Sequence, residues 1–534
     1  MKTLVDYGPR IEAALATRDD GESRWSAIRR LEDGSATDAD VALTMAERRF
    51  SRAHELAARA VAPPSKLHRF GDRVDHVVTH RIAGPLVLFA VMWIVFRLVT
   101  DVAAPFVDWI DATLTGVVGP WLSAGLGAIG LGGTWVEALV VDGVLGGVGG
   151  MLAFVPVITV LYIVLGLLED TGYFARAAYL ADKALAPVGL PGKSVLPLVV
   201  GFGCNVPALL ATRVLERKRD RLLTALLVPF VSCTARLPVF VLLASVLFPG
   251  WEGSVVLALY ILSVAAVFAV GLGLRHTLMR GTERAPFVLE LPPYRRPSWR
   301  TVWAQTRQRT ASFIRKAGTV ILAASIVVWF FLAIPVRGGG TFGDVELDDS
   351  LFGATAEAVG VVFAPAGFDA PELSGALAAG FVAKEIVVST IYQTVGGEDG
   401  AAEAVQETPG LIEGVAGAGL GLAVATGDAL LAIPGIVGID LVGGEDEAAP
   451  GSLATSLTQI FEESSGGHAQ AAAMAFMVYV LLYVPCVATV ATLGREFGKR
   501  WALFSVGLSM TVAWVAAVVV FWLGVGLGLL GGAF

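Results

Sequence analysis

Three cysteines and one asparagine carry most of the chemistry in this chain's apolar stretches. Cys204 and Asn205 lie in GFGCNVP, Cys233 ends VPFVSC, and Cys486 ends LLYVPC. A soft thiolate suits borderline divalent metals such as iron or zinc, while an asparagine oxygen and freed backbone carbonyls add oxygen ligands. A buried cysteine is more commonly a small hydrophobe, so position must separate the two roles. All three stand at glycine or proline, residues that weaken or end helices. Gly201, Gly203 and Pro207 surround Cys204 and Asn205, Ser232 precedes Cys233, and Pro485 precedes Cys486. The expected metal-contacting set is Cys204, Asn205, Cys233 and Cys486. The wide spacing argues against a disulfide framework, and the six histidines avoid every apolar span.

A second group is ionisable. Lys384 and Glu385 lie in the apolar run GFVAKEIV. A charge at membrane depth costs roughly 2.5–3.5 kcal/mol on insertion scales and marks function by default. Adjacent helical positions point to different sides, so mutual pairing is poor and a gating role is expected. Glu169 and Asp170, beside Arg176, read as an interfacial salt bridge or a helix cap. Arg236 is expected to anchor one of those carboxylates or to neutralise a cavity. GLPGKS, at Gly189–Ser194, ends like a phosphate-binding loop, but Pro187 stands where the first glycine belongs. Asn205 is the only asparagine, so no N-K-x-D base-reading motif exists. No nucleotide is expected on this chain.

The elements that position these groups are membrane spans. Of 534 residues, 55% are hydrophobic and 16% charged, with mean hydropathy +0.69, values of a polytopic membrane protein. The net charge of −8 gives no reason to expect nucleic acid. Residues 1–82 read as a cytoplasmic helical segment, with a basic approach (Lys66–Arg81) that places the N-terminus inside. Apolar runs fall near 83–101, 146–168, 222–248, 254–274, 317–335, 470–494 and 503–531. The acidic region 102–143 is expected outside or in the interface, and 411–442 is left unassigned.

Charge also sets topology. Arg176 and Lys183 precede VLPLVVGFGCNVPALLATR, and LERKRDR follows it. Both basic clusters belong inside, so the stretch between them is expected to be a re-entrant hairpin around GFGCN. Irregular backbone at that depth needs protein or a water-filled cavity around it. The second half repeats the plan: APAGF before Gly380 mirrors APVGL before Gly201, and LLYVPC mirrors VPFVSC. Its hairpin, 375–393, has acidic flanks and enters from the other side. The expected fold is thus an all-α polytopic membrane protein with an inverted repeat, each half holding a broken re-entrant hairpin, as in secondary transporters. The boundaries are 83–145 for the first span and interfacial segment, 146–315 for the first half, and 316–534 for the second.

The ordered set LEDTGYFARAAY, GFGCNVPALLATRVLERKRDRLLTALLVPFVSCTARLPVF, PFVLELPPYRRP, RKAGTVILAASIVVWF, GFVAKEIVVST and LLYVPCVATVATLGREFG resembles the FeoB ferrous iron transporter family over most of residues 66–530. The resemblance implies two Gate halves, with Cys204 and Cys233 in the first and Cys486 in the second as iron-contacting or pore-lining thiols. Fe(II) is then the transported ion, moved inward across the cytoplasmic membrane. Such proteins usually begin with a GTP-binding domain whose motifs are missing here, which implies either a separate G-domain protein, the preferred expectation, or a protein that works without one. A small FeoA-like protein, membrane lipid and a second copy of the chain are the other implied partners. Two rivals remain: a transporter of an organic solute such as a nucleoside, and a non-transporting sensor or scaffold. A nucleoside site would need clustered polar side chains, and an enzyme would need a nucleophile–base pair; neither pattern is present.

Overall fold

The computed structural model describes residues 9–16, 23–32, 39–60, 66–278, 292–336, 340–343, 345, 349–381, 384, 387–388, 390–391, 410–435, 451–526 and 528. The chain divides into two units, Met1–Arg73 and Val74–Phe534. The first has a small core of Ile11, Leu15, Ala27, Ile28 and Met45. Arg24 closes it through a bidentate pair with Glu12, at 2.8 and 2.9 Å.

The second unit is a helical membrane bundle. Among the described residues no sheet forms, only one isolated antiparallel bridge between Pro335 and Ser350. Among the described residues, seven helices are long and apolar enough to cross a membrane: Ala83–Ala128, Trp135–Thr171, Lys218–Leu247, Glu252–Thr277, Ile412–Pro434, Ala469–Phe497 and Lys499–Gly526. Their burial sorts them into an inner and an outer set. Lys218–Leu247 and Ala469–Phe497 are mostly enclosed, whereas Ala83–Ala128 and Ile412–Pro434 are largely uncovered. Leu86, Phe89, Trp93, Leu420 and Leu430 point outward, where acyl chains rather than water can meet them.

Two regions differ from the sequence expectation. The acidic segment 102–143 is helical on both sides of a turn at 129–134 and extends both neighbouring spans. Ala83–Ala128 has 46 residues, about 69 Å at 1.5 Å per residue, so it must project beyond a bilayer core of about 30 Å. The Asp101 charge is met one turn back by Arg97 at 3.0 Å. The unassigned region contains the helix Leu411–Gly435. Two of its glycines make close packing sites: a Cβ on Gly414 would lie 2.6 Å from the Trp121 ring, and one on Gly421 would lie 3.0 Å from Trp109. The Trp109 indole donates to the Ala418 carbonyl at 2.8 Å.

Two helix pairs bend sharply. Tyr173–Val188 meets Gly192–Gly203 at 101°, and Leu351–Ala366 meets Pro371–Ala379 at 106°. Both bends follow the matching motifs APVGL and APAGF. At each, a glycine takes the left-handed conformation that other residues avoid: Gly189 at φ 83° and Gly367 at φ 77°.

Candidate functional site

Four helix interruptions are linked in the core of the second unit, and the sequence-predicted residues that are described lie on or beside them. The first separates the helices Val195–Gly203 and Asn205–Ala211. Cys204 stands between them in an extended conformation, φ −152° and ψ 133°. Pro207 occupies the first turn of the second helix, where its missing N–H costs nothing. The second interruption, at Val231–Cys233, divides the span Lys218–Leu247 and leads into the turn Thr234–Arg236. The third follows Pro371–Ala379 at Gly380. The fourth, Tyr483–Cys486, separates Ala469–Leu482 from Val487–Phe497. Each cysteine is the cap residue that opens the next helical element: Cys204 before Asn205, Cys233 before Thr234, and Cys486 before Val487.

Broken helices strand backbone groups, and at this depth each must find a partner. Those partners tie the four interruptions together. Thr234 Oγ1 donates to the Gly203 carbonyl at 3.0 Å, joining the second to the first. The Val487 amide donates to the Phe381 carbonyl at 3.0 Å, joining the fourth to the third. Ser263 Oγ serves twice, donating to the Phe230 carbonyl at 2.8 Å and accepting from the Ser232 amide at 3.0 Å.

Two buried cations complete the linkage. Arg236 is fully enclosed and donates to the carbonyls of Val231 (3.2 Å), Pro229 (3.3 Å) and Tyr483 (3.3 Å). It thereby bridges the second and fourth interruptions. Lys384, also buried, donates to the Val484 carbonyl at 2.9 Å and lies over the Tyr483 ring, 2.9 Å from its centroid. Tyr479 stacks on the same ring at 5.3 Å. Gly380 leaves room for this arrangement: a Cβ there would fall 2.5 Å from the Tyr483 hydroxyl and 2.3 Å from Val387.

Asn205 is buried, and both its amide atoms lack a hydrogen-bond partner among the described residues. A buried unsatisfied amide is costly, and in a transport path such a group is suited to meeting a ligand. Gly201 brings it close to the second interruption, since a Cβ at Gly201 would sit 3.3 Å from Val231 and 3.6 Å from Asn205 Oδ1. Cys486 Sγ lies 3.3 Å from Thr489 Oγ1, and none of the three cysteines is in a disulfide. Among the described residues, no three His, Cys, Asp or Glu side chains converge as a metal-binding group. Cys204 and Cys486 pack against the main hydrophobic core without forming a ready-made coordination sphere among the described residues. Pro485 is buried within the fourth interruption; Glu385 lies outside the described residues.

The interfacial charges resolve differently from expectation in one case. Asp170 accepts from the Ser298 amide at 2.5 Å, the cap position of the helix Trp299–Phe313, and Glu169 pairs with Arg309 at 3.4 Å. Both behave as cap and salt bridge, as the sequence suggests. Arg236 meets neither, because its acceptors are main-chain oxygens that no residue pattern advertises. Arg176 instead forms a fork with Asp75 at 2.9 and 3.0 Å and donates to the carbonyls of Gly172 and Pro292. Tyr294 donates to the same carboxylate at 2.8 Å, with its ring 4.1 Å from the guanidinium. Burial opposes ionisation of Asp75, yet the bonds from Arg176 and Tyr294 together hold its carboxyl below the usual range. Burial and that same carboxylate push the Tyr294 hydroxyl up to about 12.

At Gly192–Ser194 the chain makes one tight turn. The Gly192 amide is already spent on Asp182 at 2.8 Å, and Ser194 is buried.

A multi-pass helical membrane protein with interrupted, mutually linked buried helices has the discontinuous-helix architecture that many transporters use. Comparison with known proteins narrows the class. A family model described as Gate, nucleoside recognition, matches residues 151–247 and 314–500. Between those stretches, a model of the ferrous iron transport protein B C terminus matches residues 256–309. The chain belongs to the FeoB family, matching its membrane-embedded part. The Fe(2+) transport protein A/Fe(2+) transporter FeoB fusion protein of Porphyromonas gingivalis is 34% identical, over 86% of this chain and 52% of that protein. Fe(2+) transporter FeoB of Staphylococcus aureus is 31% identical over 86% of this chain and 60% of its own length. That of Legionella pneumophila is 33% identical over 90% and 63%. The chain thus spans between about half and two thirds of these relatives. No solved structure matches it.

Proposed function

We propose that this chain is the permease part of a ferrous iron transporter, carrying Fe(II) inward across the cytoplasmic membrane. The observation that carries this reading is the convergence of four helix interruptions, three opening a helix with a cysteine. A hydrated Fe(II) that sheds water needs replacement ligands at that depth. Soft sulfur from Cys204, Cys233 and Cys486, the Asn205 amide oxygen and loosened carbonyls are of the right kind. In this reading residues 146–315 and 316–534 are two inverted halves, and the path runs past Gly201, Gly203, Ser232 and Pro485. Lys384 and Arg236 hold the lining carbonyls until the ion arrives.

In this reading the basic clusters at 215–221 and 494–500 mark cytoplasmic ends of the bundle, and the basic approach at Lys66–Arg81 favours a cytoplasmic N-terminus. The relatives' names support Fe(II) as cargo, and the fusion protein's name supports a small FeoA-like partner. A separate GTP-binding protein that gates or drives transport follows from the family resemblance and completes the proposal. The nucleoside description of the Gate model has no counterpart in the sequence motifs as clustered base- and ribose-binding side chains. The test is Fe(II) uptake into proteoliposomes, with nucleosides as competitors. Saturable uptake unaffected by nucleosides supports the reading, whereas nucleoside uptake without iron uptake replaces it.

A further inference from the structure

Two of the thiol-capped helices run side by side, and their far ends are tied by a charge cluster that the transport chemistry does not use. Asn205–Ala211, opened by Cys204, packs against Val487–Phe497, opened by Cys486. Just past the first helix is Arg213, and in the last turn of the second is Glu496. Arg213 takes the Glu496 carboxylate in a two-pronged fork, with Nε to Oε2 at 3.0 Å and the second prong to Oε1. Arg221, on Lys218–Leu227, donates to the same Oε2 at 2.9 Å, and its guanidinium lies 5.3 Å from the Phe497 ring. Glu496 is largely buried, at 13% exposed, while Arg213 is 57% exposed. One enclosed carboxylate therefore joins two arginines from the first Gate match to a helix of the second.

We infer that the Glu496–Arg213–Arg221 cluster is a latch on one end of the transport path. The inference rests on the transport reading above for what the path carries. Each half-helix begins at a non-helical cap residue, Cys204 or Cys486, so parting the far ends would swing both helices about those two cysteines. With the latch closed, the two helices stay packed and the thiols are shielded from that face. With it broken, the face opens toward them. An ion pair reachable by water is suited to this role, because it is weak enough to break reversibly and strong enough to bias two states.

The test uses the full chain in proteoliposomes. A membrane-impermeant maleimide is added to one face or the other, and labelling rates at Cys204 and Cys486 are read by mass spectrometry. Glu496→Gln is expected to raise labelling from the face bearing Arg213 by about fivefold, the scale of one exposed ion pair, and to leave the opposite face unchanged. The double variant Arg213→Ala/Arg221→Ala should show the same rise, and adding Glu496→Gln to it should give no further increase. Unchanged labelling in Glu496→Gln, or a fully additive increase, overturns the latch. The unaltered chain gives a second readout independent of any variant's folding. Raising ionic strength from about 0.05 M to 1 M screens exposed pairs and should speed its labelling; salt-independent labelling also overturns the latch. Iron uptake is measured in the same vesicles. Latch-dependent labelling without Fe(II) uptake keeps the latch and removes the iron reading, whereas uptake with latch-independent labelling does the reverse.

Discussion

At the residue scale, the Asp75–Arg176 pair is the clearest source of a pH effect outside the membrane. Asp75 has its folded-state carboxyl held below the unfolded value, so its contribution is full above about pH 4. It is lost as the pH falls through the depressed folded value. Asp75→Asn should therefore lower stability at pH 7 by about 1–2 kcal/mol, a buried-pair loss discounted because the carboxylate is partly exposed. The deficit relative to the unaltered chain should shrink as the buffer is made more acid. Thermal unfolding in detergent across a pH series checks this, and a deficit that grows toward low pH contradicts it. Arg176→Met should be worse than Asp75→Asn at neutral pH, because it also abandons the carbonyls of Gly172 and Pro292.

The interruptions themselves define the element scale. Arg236 satisfies three carbonyls drawn from two of them. Arg236→Met keeps much of the volume and removes every donor, leaving Pro229, Val231 and Tyr483 without that partner. Stranding buried acceptors costs about 1–3 kcal/mol each, so this variant should lose several degrees of melting temperature in a detergent unfolding series. An unchanged midpoint would show that water replaces the side chain. Gly380→Ala should destabilise by about 1–3 kcal/mol through overpacking, because its new methyl would meet Val387 and the Tyr483 hydroxyl. The same substitution at Gly253, where a Cβ meets nothing within 4 Å, is the control and should leave the midpoint unmoved.

These elements also show what a sequence exposes. Glycine and proline in GFGCNVP and LLYVPC break helices through local backbone chemistry, so the interruptions at Cys204 and Cys486 were legible. The partners of Arg236 and Lys384 were not, because main-chain carbonyls are present at every position and only tertiary packing selects a few. The helix Leu411–Gly435 was hidden for a related reason. Its glycines read as breakers, yet they admit Trp109 and Trp121, a packing partner about 300 residues away in sequence. The helical extension through 102–128 was missed because acidic residues end a membrane span without ending a helix. Glu496 left no signal beyond a basic, inward-facing GREFGKR, since its arginine partners lie 283 and 275 positions earlier.

At the scale of the whole molecule, two sharply bent helix pairs with matching left-handed glycines bring four interruptions to one core. The enclosed spans Lys218–Leu247 and Ala469–Phe497 carry Cys233 and Cys486, while the less covered spans turn apolar side chains outward. That division lets the core bear irregular backbone while the rim meets lipid. The proposed ion path would then run through the enclosed interior, beside Cys204, Cys233 and Cys486. Fe(II) uptake by proteoliposomes holding the full chain, compared with the variant Cys204→Ala/Cys233→Ala/Cys486→Ala, tests that claim most directly. The unaltered chain should take up Fe(II) saturably, with the G-domain protein and GTP supplied where uptake requires them. The triple variant, shown to be folded by an unchanged thermal midpoint, should lose at least about tenfold in rate, the equivalent of about 1.4 kcal/mol. Uptake by the folded triple variant at the unaltered rate would contradict a thiol-lined path.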